Sequence, residues 1–122
     1  MGVYVTIRGW LECDGPQLAR IREITSAAEA DPAYRGGWTF PERQPAWTSM
    51  VFFGADVRAQ YAGTILDQLR VIARVPPSDE DDDLVVGLFV VSHETDGRQE
   101  WQVREGRVVI ADLGSRYAYL DE

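Results

Sequence analysis

The 122-residue sequence predicts a single α+β domain spanning 1–122. The expected order is the ferredoxin-like β-α-β-β-α-β with an additional C-terminal β-hairpin, two helices lying on one face of a mainly antiparallel sheet. Three observations carry this expectation. Apolar residues alternate with period two in the first strand, two stretches repeat them at helical spacing between start and stop signals, and two Gly-containing turns divide the last third.

The first strand is 3–13, VYVTIRGWLEC. Val3, Val5, Ile7 and Leu11 fall on one side, the core side. Tyr4, Thr6, Arg8, Trp10 and Glu12 fall on the other, an aromatic and polar face that meets solvent or a partner. Asp14 then caps a helix, with Gln17 three residues on as in a capping box and Pro16 in the first turn. Leu18, Ile21, Ile24, Thr25 and Ala28 form its stripe, and Asp31-Pro32 stops it. Two short strands follow at 36–40 and 47–54, joined by a loop that Pro41 and Pro45 stiffen. Without the first of these the order becomes β-α-β-α-β-β-β, still α+β. Asp56 is expected to cap a second helix at 57–74, with Tyr61, Ile65, Leu69 and Ile72 on its core face. Val75-Pro76-Pro77 ends it. After the charged connection SDEDDD come a nearly continuous apolar strand from Leu84 and two turns, Asp96-Gly97 and Glu105-Gly106. Asp-Gly favours the two-residue type I′ turn, and Glu-Gly is a weaker form of that signal.

Composition narrows function by exclusion. An apolar fraction of 45% and a charged fraction of 26% describe a globular chain. The longest apolar run is far short of the roughly 20 residues of a membrane span, and no leader is evident, so the expectation is a cytoplasmic protein without a membrane partner. All twelve basic residues are Arg, so Schiff-base chemistry and a P-loop lysine are excluded. The net charge of −8 argues against a nucleic-acid partner and for a basic one. GxGxxG and GxSxG are absent.

Candidate catalytic groups are few. His93-Glu94 is the one acid–base pair, but neighbouring strand residues face opposite sides, and a surface histidine beside a turn is the preferred reading. Cys13 stands just before a helix N-terminus, where a thiol can become a nucleophile; a buried structural thiol is the commoner outcome. The acidic run lacks the DxDxDG spacing and distal Glu of a calcium loop. No catalytic residue, metal site or cofactor is expected.

The stretches RGWLECD and GGWTFPERQPAWTSMVFFGADVR, in a small, acidic, Trp-rich chain, resemble immunity proteins of bacterial polymorphic toxin systems. The resemblance implies a stoichiometric inhibitor that blocks a cognate toxin domain, often a basic nuclease. Partner-binding candidates are Tyr4, Arg8, Trp10 and Glu12 on the strand face and Trp38 and Trp47 in the hairpin. The acidic candidates are Asp79, Glu80, Asp81, Asp82, Asp83, Glu94 and Asp96. Two alternatives stand beside this reading: a small-ligand or enzymatic domain with a pocket lined by Trp38, Phe40 and Trp47, and a homodimer.

Overall fold

The alternation of the first strand becomes β1, Tyr4–Cys13, in the computed structural model, which describes residues 2–27, 34–42 and 47–122. Val5, Ile7, Leu11 and Cys13 are buried on one face, as the period-two pattern requires. Gly9 belongs to the same series, and the ring of Phe89 lies over it from the neighbouring strand.

Asp14 caps α1, Gly15–Thr25, through the full capping box. Its carboxylate accepts from the Gln17 backbone N–H (2.9 Å), and the Gln17 side chain accepts from the Asp14 N–H (3.0 Å). Gln17 is itself buried, and its amide donates to the backbone carbonyls of Asp83 (2.9 Å) and Pro76 (3.4 Å). One side chain therefore starts the helix and fastens both ends of the acidic connection. Ile21 and Thr25 are buried, with Leu18 and Ile24 packed alongside. Ala28, the stop at Asp31-Pro32 and Pro45 lie outside the described residues.

A short 3-10 turn, Arg35–Gly37, leads to β2, only Trp38–Thr39, and then to β3, Ser49–Arg58. β3 runs four residues past its expected end because it pairs with the whole of β1, Tyr4 opposite Arg58 and Cys13 opposite Ser49. This corrects the role given to Asp56. It is a strand residue opposite Thr6, whose hydroxyl it accepts, and it caps no helix. The second helix, α2, is Ala59–Ala73, entered from Arg58 without a side-chain cap. Ile65, Leu69 and Ile72 are buried as expected, and Tyr61 meets the ring of Tyr34 at 5.7 Å.

The last third is a meander of β4 (Val86–His93), β5 (Gly97–Arg104) and β6 (Arg107–Asp112). Its turns reverse the ranking that the sequence suggests. Three residues separate β4 from β5, and only Gly97 among them and itself has positive φ (90°), so Asp96-Gly97 is not the type I′ turn. The ring of His93 explains the wider turn: Nδ1 accepts the backbone N–H groups of both Thr95 and Asp96, each at 3.1 Å. At Glu105-Gly106 both φ values are positive (53° and 77°), as type I′ demands.

All neighbouring strands are antiparallel, in the order β2-β3-β1-β4-β5-β6. The two helices touch each other and both reach β3, so they share one face of the six-stranded sheet. The core lies between them and that face, closed by Trp38, Phe53 and Phe89 in edge-to-face contacts with centroids 4.9 and 6.4 Å apart. No described helix is long and apolar enough to cross a membrane.

Cys13 belongs to this core. Its Sγ lies 3.7 Å from the Ser49 carbonyl, and burial, with the neighbouring Asp14 charge, pushes its pKa up to about 11. The thiol is therefore protonated at neutral pH. At pH 8 it is expected to react with iodoacetamide roughly a hundredfold more slowly than an exposed cysteine. Labelling at an ordinary exposed rate, followed by mass spectrometry, would contradict that burial.

Candidate functional site

No α-helix among the described residues covers the face of the sheet opposite α1 and α2. Residues of even number on β1 point to it, and the strand registers extend the pattern into rows. One row reads Phe52, Trp10, Leu88, Gln102 and Val109 across β3, β1, β4, β5 and β6. Tyr4, Arg8, Trp10 and Glu12 are thus brought to one face as expected. Trp10 is half-buried, and its Nε1 donates to Glu12 (3.0 Å).

At the Cys13 end of β1 this face meets an open cleft of about 310 Å³. Glu12, Asp14, Asp79, Asp81 and Asp83 line it, with Trp47 at its side. Trp47 is 94% exposed, the most exposed large apolar side chain among the described residues. Local geometry explains the gathering of carboxylates. Asp14 is fixed as the α1 cap and also takes the Ser78 hydroxyl, while Gln17 holds the carbonyl of Asp83 against the same corner. The loop between is shaped by Asp79, which accepts the Asp81 N–H (3.0 Å), and by Asp82 at φ 55°. None of the five carboxylates is in an ion pair among the described residues. The cleft therefore carries an uncompensated negative potential beside a large bare aromatic ring. Glu80 and Asp82 stand on the same loop, exposed and outside the cleft lining.

The other end of β1 is built differently. A second open cleft, about 630 Å³, is lined by Tyr4, Thr6, Ser92, Glu94 and Arg98 among others. Glu94 accepts the Tyr4 N–H (3.2 Å), and Asp96 sits 3.5 Å from His93 Nε2, so these two acidic candidates are far from the Trp47 cleft, about 25 Å along the strand. Arg8 is not free on the sheet face. Its Nη2 meets Asp121 (3.4 Å) and the Leu120 carbonyl (3.2 Å) of a C-terminal 3-10 turn, Ala118–Asp121. Arg98 Nε donates to the other oxygen of Asp121 at 2.8 Å. Burial raises the pKa of that carboxyl, but Arg98, Ser92 and Arg8 outweigh it and hold it below its ordinary value.

A depressed carboxylate favours docking above its unfolded value and loses that contribution as pH falls through the folded one. The 118–121 segment is therefore expected to stay docked at neutral pH and loosen below about pH 4. The check is a pH titration of its backbone amide signals by NMR. Amides that keep their neutral-pH shifts after the Asp121 carboxyl itself has titrated, read from its side-chain carbon signal, would show that Asp121 does not hold the segment.

Trp38 requires a correction as a partner-binding residue. It is 8% exposed and packed in the core, while Trp47 stands in solvent, so the two cannot line a shared closed pocket with Phe40. Phe40 instead carries the Arg22 guanidinium over its ring at 4.7 Å. Among the described residues no group of three or more His, Cys, Asp or Glu side chains is disposed to hold a metal ion. Sequence reasoning missed Arg98 and Asp121, which meet only after two hairpins and a terminal turn have folded.

No protein family, curated protein or solved structure matches the chain.

Proposed function

We propose that this chain is a non-catalytic binding module that caps a basic protein surface in one-to-one stoichiometry, as an immunity-type inhibitor caps a toxin domain. The observation that carries this reading is Trp47, 94% exposed beside the carboxylates of Glu12, Asp14, Asp79, Asp81 and Asp83. Tryptophan is the residue type most concentrated in interface hot spots, and neighbouring carboxylates that are in no ion pair among the described residues favour Arg or Lys against it. The net charge of −8 adds long-range attraction for such a partner. The location in this reading is the cytoplasm, where a producing cell would need the inhibitor.

The frame suits that role. We read 4–93 as a ferredoxin-like unit, supported by β1 lying between β3 and β4 with β2 outermost, and the last hairpin as an extension at the β4 side. Rigid strands and a capped helix then hold the binding cleft in shape, which lowers the cost of ordering it on association.

Co-purification from the native host at physiological salt, followed by mass spectrometry, tests the proposal. The expected result is one basic protein at equal stoichiometry, released as salt is raised. Recovery of the chain alone, or as a homodimer only, would overturn it.

A further inference from the structure

The contact between Asp121 and the two arginines has the form of an occupied binding site. Arg8 on β1 and Arg98 on β5 approach one carboxylate from two sides, each taking a different oxygen. Ser92 on the intervening β4, 8% exposed, lines the same cleft, and its buried Oγ has no hydrogen-bond partner among the described residues. Each guanidinium makes one charge-assisted contact, at 3.4 Å from Arg8 and 2.8 Å from Arg98, so the carboxylate is held between two cations. Three features set it apart from a structural staple. Arg8 Nη1 is buried and has no hydrogen-bond partner among the described residues, so the cradle holds a donor that Asp121 does not use. The segment that supplies Asp121 buries little else, since Tyr119 is 68% and Leu120 36% exposed and Tyr117 enters it in left-handed backbone (φ 64°). The adjoining cleft of about 630 Å³ leaves room for the chain of a longer ligand beside the carboxylate.

We propose that Arg8, Ser92 and Arg98 form a carboxylate-binding site for an acidic peptide side chain, and that Asp121 occupies it in cis as a tethered stand-in. The tether gives Asp121 a high effective concentration, so an external carboxylate must displace it. The site is separate from the Trp47 cleft and does not depend on that surface binding anything. It gives the sheet face two poles, carboxylates at one end and guanidinium groups at the other.

The test is titration of the Arg side-chain Nε–Hε signals by NMR with glutarate, in the wild type and in Asp121→Asn, with Asp121→Ala as a second variant. Both variants are expected to bind glutarate at least tenfold more tightly than the wild type, with the Arg98 signal moving first. Adding Arg98→Ala to Asp121→Asn is expected to abolish the shift of the remaining Arg8 signal. Equal binding in wild type and variants, or no saturable binding in either variant, would overturn the proposal. Inorganic phosphate run in parallel tests the ligand class. Phosphate binding as tight as glutarate would refute the assignment to a planar carboxylate.

Discussion

Replacing Gly9 by alanine is expected to lower the melting temperature by roughly 10 °C or more, although it adds one methyl group. A Cβ at this position would stand 2.2 Å from the carbonyl oxygen of Leu88 and 2.5 Å from the ring of Phe89. Neither neighbour can yield cheaply. The carbonyl belongs to β4, paired along nearly the whole of β1, and the ring is fully buried against Trp38. Either the central ladder opens or the aromatic cluster moves, and overpacking of this kind costs about 3 kcal/mol. Gly63 provides the control with the opposite sign. It lies within α2 with nothing near its missing Cβ, so Gly63→Ala is expected to stabilise by about 0.5–1 kcal/mol. Thermal melts of the two variants decide the matter; equal melting temperatures would mean that Phe89 does not sit on Gly9.

Trp47→Ala is expected to leave the melting temperature within about a degree and to weaken a basic partner by roughly a hundredfold. The first half follows from exposure, since a side chain 94% in solvent contributes almost no buried area to the fold. The second follows from the loss of an aromatic anchor, which costs about 2–4 kcal/mol when it is the centre of an interface. The acidic ring should act on a different quantity. Asp81→Asn with Asp83→Asn is expected to slow association about tenfold at low salt and leave dissociation largely unchanged. Calorimetry and stopped-flow binding separate the two effects. A partner that binds the Trp47→Ala protein with undiminished affinity would place the interface elsewhere on the molecule.

Much of the fold can be read from local pattern because several elements are decided by local physics. β1 shows its alternation, Asp14 and Gln17 spell out the α1 cap, and Val75-Pro76-Pro77 closes α2, whose last residue is Ala73. The failures have a common cause in tertiary pairing. Asp56 looks like a helix cap until β1 is seen to offer a full-length partner to β3, after which the ladder outweighs the cap. Asp96-Gly97 looks like the tighter turn until the His93 ring supplies an acceptor for two backbone N–H groups, which a two-residue turn would not present. Trp38 and Trp47 are alike in sequence, flanking one loop, and the structure sends one to the core and the other to solvent. The acidic cleft is half legible: Asp79, Asp81 and Asp83 are visible as a run, but the tertiary bonds of Gln17 to Asp83 and of Ser78 to Asp14 bring them to Glu12 and Asp14.

The position of β1 in the middle of the sheet has a consequence for the order in which the molecule assembles. The strand made first must wait for β3 and β4, whose partners to Leu11 lie at Val51 and Gly87, so its two ladders close long loops. The β4-β5-β6 meander closes only short ones. Early protection is therefore expected in 86–112, with the insertion of β1 as the late and rate-setting event. Pulsed hydrogen exchange during refolding reads this directly, and β1 amides protected ahead of the meander would exclude it. Until that insertion the edges of β3 and β4 that face β1 stand unpaired, and the interval is when the chain is most exposed to aggregation.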